Sequence, residues 1–304
     1  MGRFVIIRIL QALIALLVIS MVVFALARAT GDPVLLMTPP EATLEDMAVL
    51  RQELGLDKSI PEQYWIFLKK LGQGDLGESI ISKRDVTQLI RERLPNTISL
   101  ALSAIALGVL VSLIMGVTAA SRQGTWLDGG VKFIAILGQA MPNFWLAIVA
   151  IYIFSVQLRW LPTSGMGGID HYVLPIAILA FFMLPVLMRL IRSSMLDVLG
   201  SEYIKLARIK GVSERLVIWK HALRNAIIPL LTAAGITFAT IITGAIIIET
   251  VFAWPGVGRL LYEAVLARDF PVVQGAVLLV AVIVLSVNLL VDIMYAYVDP
   301  RIRY

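Results

Sequence analysis

Six long apolar stretches constrain this chain more than any other feature: Ile9 to Ala27, Ile98 to Ala120, Phe133 to Leu158, Tyr172 to Met188, Ala226 to Ile248 and Val272 to Val291. Each is close to the roughly 17–25 residues that a helix needs to cross a hydrocarbon layer ~30 Å thick. Within lipid every backbone N–H and C=O must be paired inside the protein, so only helices and closed barrels cross. Barrel strands would alternate in polarity, and these stretches do not. The expected fold is therefore all-α, a polytopic membrane protein of six transmembrane helices. Composition agrees: 59% of the residues are hydrophobic and 15% charged, against roughly 25% charged in soluble domains. With no cysteine, disulfides and thiolate metal sites are excluded.

The first stretch has the outline of a signal peptide, with Arg3 and Arg8 before it and the small-residue triplet Ala25-Leu26-Ala27 at its end. Its apolar run is longer than the roughly 7–15 residues of a signal core, which predicts an uncleaved helix. Six crossings place both termini on one side. Arg3, Arg8, Arg122, Lys132, Arg301, Arg303 and eight basic residues between Arg189 and Arg224 fall on one face, and the opposing short loops hold Arg159, Arg259 and Arg268. The positive-inside rule then puts both termini and the segment from Glu202 in the cytoplasm. The net charge of +5 follows from this bias and calls for no nucleic acid.

Three regions result: residues 1–29, a first transmembrane helix with a cytoplasmic N-terminus; residues 30–97, an extracytoplasmic loop subdomain; and residues 98–304, five helices with a cytoplasmic loop over 192–225. In the second region, Thr43 to Leu54 reads as a helix with Thr43 as N-cap and Gly55 as its stop, and Ile60 to Leu71 as another with Pro61 in its first turn. Tyr64, Trp65 and Phe67 are expected at the membrane interface or against helix ends. Gly72, Gly74 and Gly77 spell GxGxxG, but no strand precedes them and no βαβ unit surrounds them, so they read as a tight turn.

Catalytic and ion-coupling chemistry find little to stand on. The two histidines, His171 and His221, rule out HExxH zinc chemistry. Ser164 near His171 lacks an accompanying carboxylate or oxyanion pattern for a hydrolase. No GxxxxGK[ST] phosphate loop occurs. An ion-coupled carrier would keep ionisable groups in its spans, because a charge at a helix centre costs about 2.5–3.5 kcal/mol; the centres of these six lack them. Asp292 is expected to pair with a basic loop residue at its span end, and Lys132 and Glu249 to reach the headgroups from theirs.

Between Ser201 and Lys210 the pattern predicts a short helix with Ile204 and either Ala207 or Leu206 on one face. Gly211 should stop it in a left-handed turn. Ser213 then opens a second helix through Leu216, Trp219, Ala222 and Leu223 into the fifth span. The spacing Ala207-Arg208-x-Lys210-Gly211, nine residues, then His221-x-Leu223-Arg224-Asn225 and a later Pro229 resembles the EAA loop of ABC importer permeases, in the variant of peptide and nickel importers. Tyr203 and Ile204 replace the two alanines that usually follow the glutamate. The resemblance extends along the chain through Gly31-Asp32-Pro33, LGLDKSIPEQYW from Leu54, GDLGES from Gly74, RLPNT from Arg93, FAWPGVGRL from Phe252 and DPRIR from Asp299.

This resemblance implies a type I ABC importer permease, similar to the first permease of dipeptide, oligopeptide, glutathione and nickel systems. It implies uptake of small peptides, with a nickel or metal-chelate importer of the same family as the alternative; a secondary carrier is the alternative from another class. The implied partners are a second homologous permease, two cytosolic ATPase subunits, an extracytoplasmic solute-binding protein and the lipid bilayer. Cofactors are none in this chain, with ATP and Mg bound by the partner subunits. Glu202, Ala207, Arg208, Lys210, Gly211, His221, Leu223, Arg224 and Asn225 are the implied contact with the ATPase, and the implied location is the bacterial inner membrane.

Overall fold

A computed structural model describes residues 2–29, 34, 38, 43–53 and 55–298. The Gly31-Asp32-Pro33 and DPRIR motifs and the C-terminal arginines lie outside the described residues. The chain runs α1 (Gly2–Ala29), α2 (Leu44–Glu53), α3 (Ile60–Gly72), α4 (Val86–Ser121), α5 (Trp126–Ala140), α6 (Asn143–Ala150) with a π-helical extension (Ile151–Gln157), α7 (Ile169–Leu199), α8 (Glu202–Ile209), α9 (Glu214–Leu216) with a π-helical turn (Val217–Ala222), α10 (Leu223–Val251), α11 (Val257–Leu266) and α12 (Phe270–Val298). Among the described residues the only strand-like pairing is one isolated bridge, Glu78 to Asp85.

Helices α4 and α7 form the centre of the bundle and run parallel. Gly108 lies against Met183, and Gly116 lies so close to Ile191 and the Met188 carbonyl that a Cβ there would overlap them. Without a hydrophobic drive between helices in lipid, such small residues allow the close backbone approach on which packing depends. Antiparallel to them, α10 completes the core, where Leu100, Leu187, Leu230 and Ile242 are buried. On its far side lies α12, reached through Gly235 against Val291. The outermost helix is α1, tied to α12 by Arg8 to Asp292 at 3.2 Å; Asp292 thus pairs with a basic residue of a helix where a basic loop residue was expected. The ends of α4 and α7 and the start of α10 define one end of the bundle, called here the lower end. The start of α4 and the end of α10 define the upper end.

Among the described residues, five helices are long and apolar enough to cross a membrane. The third crossing differs from one continuous helix over Phe133 to Leu158. It is a bent pair, α5 and α6, whose axes meet at 105° across Met141 and Pro142. Proline at 142 has no N–H to continue the helix, and it disfavours helical backbone at the residue before it. At α4 the difference is length: the helix begins at Val86, before the apolar stretch, and over its 36 residues spans about 54 Å.

At the upper end, Ser59 and Glu62 form a capping box that starts α3, and Asp46 accepts from the Thr43 N–H while the Thr43 hydroxyl caps the Asp46 N–H. Gly55 takes φ +66° at the expected stop. Tyr64 and Phe67 pack on Phe24 of α1, whereas Trp65 is exposed. Gly74 and Gly77 have φ of +77° and +82°, the turn expected of the three glycines. Residues 79–81 are pinned to the start of α12 by Asp269, which accepts from Ser79 Oγ and Ile80 N.

Glu249 corrects an expectation. It does not reach the headgroups but is fully buried, accepting from Thr97 Oγ1 at 2.6 Å and from Arg259 N at 3.1 Å. Thr97 Oγ1 in turn accepts from Val257 N. Gly256 and Gly258 leave the room that the carboxylate fills, since a Cβ at Gly256 would overlap it. Asn96 donates to Pro255 O and accepts from Trp254 Nε1. Two motifs far apart in sequence, RLPNT and FAWPGVGRL, thus meet and join α4, α10 and α11.

Candidate functional site

Residues 201–222 form the link between α7 and α10 at the lower end, and they form it with little slack. Only Gly200 and Ser201 separate α7 from α8. Ser201 turns back on α7, its N–H and hydroxyl both donating to Val198 O. At the other side α9, the π-turn and α10 are continuous. Such π segments are rare and often mark functional positions.

The turn between α8 and α9 is built as the sequence implied. Gly211 has φ +77°, its N–H donates to Arg208 O, and Val212 N donates to Ala207 O. These bonds close the end of α8 with a left-handed glycine. Arg208 clamps the turn through Nε to Glu214 Oε2 at 3.1 Å and Nη2 to Oε1 at 2.6 Å. That pairing holds the Arg208 guanidinium above its usual pKa. Asn225 Nδ2 donates to Tyr203 OH at 2.8 Å, which ties the first turn of α8 to the start of α10. The turn, the clamp and this tie make one stiff body.

Helix α8 is apolar on two sides. Ile204 is completely buried and Ala207 partly buried, both facing the bundle. Tyr203, Leu206 and Ile209, spaced three apart, form the opposite stripe, and Ile209 is 81% exposed. Leu216 and Trp219 add exposed apolar surface beyond the turn. An isolated surface helix needs one apolar stripe; a second one marks an interaction face. Around it lie Lys210, Arg215, Lys220 and Arg224, which are exposed and make no ion pair among the described residues. Glu202 pairs with Lys205 at 2.8 Å.

Of the residues implied as contacts, Glu202, Arg208, Lys210, Gly211, His221, Arg224 and Asn225 are exposed, while Ala207 and Leu223 are half-buried. All nine occupy this one body. Arg192, placed at its edge from sequence, turns inward instead: its guanidinium holds the buried Asp128 of α5 through bonds of 2.7 and 3.0 Å. The outward apolar stripe is what reading the charges and glycines missed. The i, i+3 recurrence of Tyr203, Leu206 and Ile209 was its signal.

Comparison with known proteins agrees with this architecture. Residues 1–101 match the family model "Binding-prot-dependent transport system membrane comp, N-term", and residues 108–304 match "Binding-protein-dependent transport system inner membrane component". The chain is 44% identical over 306 residues to a putative peptide transport system permease protein of Brucella abortus, covering 98% of each. It is 42% identical over 298 residues to the glutathione transport system permease protein GsiC of Pectobacterium atrosepticum, covering 98% of this chain and 97% of that one. Among solved structures, an inward-facing MetNI methionine ABC transporter is similar with a TM-score of 0.59 at 19% identity, covering 70% of this chain and 97% of that one. An amino acid ABC transporter solved with histidines follows with a TM-score of 0.54 at 17% identity, covering 68% and 93%; both likenesses concern the fold. The chain belongs to the binding-protein-dependent transport system inner membrane component family, and it is a multi-pass permease subunit of the ABC importer type, not itself an ATPase.

Proposed function

We propose that this permease carries small peptides inward, driven by ATP that two cytosolic ATPase subunits bind with Mg and hydrolyse. A second, homologous permease completes the pore, and an extracytoplasmic binding protein delivers the solute at the upper end. Both termini and residues 201–222 face the cytosol, which accords with the excess of Lys and Arg at the lower end. Peptide as substrate is supported by the names of the most similar relatives, a peptide and a glutathione permease.

The observation that carries this reading is the stiff body at the lower end: two short helices around Gly211, seated on α7 and α10 and exposing Leu206, Ile209 and Trp219. A body tied to two spans without slack passes a push from a docked ATPase into both. Its Lys210, Arg215, Lys220 and Arg224, which make no ion pair among the described residues, suit an acidic partner surface. Uptake into vesicles holding the complete transporter tests the reading. Accumulation of di- and tripeptides should require the binding protein and ATP at the cytosolic face. Accumulation driven by an ion gradient without ATP would refute it.

A further inference from the structure

The elbow between α5 and α6 sits where backbone irregularity is least affordable. Gly138, two residues before the end of α5, packs against Pro185 near the midpoint of α7, so the bend lies at mid-depth of the bundle. Met141 N donates to Leu137 O, and Leu146 N donates to Pro142 O. Between these bonds the carbonyls of Gly138, Gln139 and Ala140 and the N–H groups of Asn143 and Trp145 have no backbone partner among the described residues. Gln139 is exposed and Asn143 half-exposed. Asn143 Oδ1 accepts from Phe144 N at 2.8 Å, which leaves its amide N–H groups available.

Unpaired backbone and two carboxamides at that depth cannot face hydrocarbon, where each unsatisfied group costs several kcal/mol. Non-helical backbone there is found buried in protein or lining a water-filled cavity. Two observations favour the cavity. This chain leaves the Gln139 side chain exposed and covers that of Asn143 only in part. Helix α6 also adjoins α10, whose Thr240 and Thr243 are exposed in the half that leads from mid-depth to the upper end.

We propose that the elbow lines the aqueous solute path of the importer, with the Gln139 and Asn143 carboxamides and the free backbone groups presenting donors and acceptors to the amide backbone of a passing peptide. The proposal rests on the permease reading above. Neutral donors and acceptors suit a solute whose backbone repeats both, and they bind it without selecting among side chains.

Because the chain has no cysteine, single cysteines report on this face directly. Gln139→Cys and Asn143→Cys, in membranes carrying the complete transporter, should react with a charged methanethiosulfonate about tenfold faster than Leu13→Cys on the outer helix, because a hydrated thiol ionises to the thiolate that attacks the reagent's sulfur and displaces methanesulfinate. An excess of trialanine with binding protein and ATP should slow both. Reactivity no faster than that of Leu13→Cys would overturn the proposal, as would reactivity that appears only when the subunits are separated. Gln139→Glu gives an independent arm. A wet face accepts the charge and lets the complex assemble at the wild-type level, whereas a face covered by lipid or protein does not. Peptide uptake by the wild-type complex is measured in the same vesicles. If it fails, the permease reading falls; if it succeeds while the cysteines stay silent, only the elbow proposal falls.

Discussion

At Gly211 the backbone sits at φ +77° with nothing within 4 Å of where a Cβ would stand. Space is therefore no obstacle to a side chain there, and conformation alone is. A β-branched residue forced into the left-handed region costs about 1–2 kcal/mol, enough to re-form the turn but too little to unfold the bundle. Gly211→Val should insert normally and lose ATPase association or coupled uptake, read by co-purification and by peptide accumulation; normal values of both would remove the coupling role. Glu249 presents the opposite case, a residue whose surroundings are filled. Glu249→Ala leaves the Thr97 hydroxyl and the Arg259 N–H without their acceptor, at about 1–3 kcal/mol for each buried group left unpaired. The detergent-solubilised protein should melt at a lower temperature, and Gly256→Ala should do the same by pressing on the carboxylate.

Among elements, the joint between α5 and α7 ties the start of the bent pair to the lower end of α7. Arg192, near the end of α7, grips Asp128 in the first turn of α5, with Lys132 a further partner at 2.9 Å. Asp128 is 1% exposed. Arg192 is half-buried, and Asp128 keeps Lys132 when Arg192 is lost, so each single loss costs at most the about 3–5 kcal/mol of stranding a fully buried charge. Asp128→Ala and Arg192→Ala should each destabilise strongly, and the double variant should lose less than their sum; a strictly additive cycle in thermal melts would show that the pair does not couple the helices. The joint was not legible in the sequence; Pro142 marks a place where Phe133 to Leu158 can kink, but hydropathy, which averages over a window, reads the stretch as one span and does not give the angle. Partners 64 residues apart leave no mark in a local pattern. What was legible is what local chemistry decides: the apolar spans, the helix capped at Thr43, the helix opened at Ile60 with Pro61 in its first turn, and the glycine stops at 55 and 211. The Glu249 cluster lies between. Its glycines stood in plain view in FAWPGVGRL, but only the fold brings Thr97 to them.

For the molecule as a whole, the orientation in the membrane and the docked state of the lower end are joined in one experiment. Gln123, between α4 and α5, and Lys210, beside Gly211, are both exposed at the lower end, and Lys70 of α3 is exposed at the upper end. If positive-inside bias orients the chain, a membrane-impermeant thiol reagent added to intact spheroplasts should label Lys70→Cys and spare the other two. Permeabilised cells should then expose Gln123→Cys. If the proposed ATPase contact is right, Lys210→Cys should remain protected, because it borders the exposed apolar stripe of Leu206 and Ile209. Stripping peripheral subunits from the membranes should release it. Labelling of Gln123→Cys from outside would invert the topology. Equal labelling of Gln123→Cys and Lys210→Cys in unstripped membranes would leave the orientation standing and place ATPase docking elsewhere. The two outcomes separate because charge bias sets which end faces the cytosol, whereas the outward stripe of α8 sets what lies against that end.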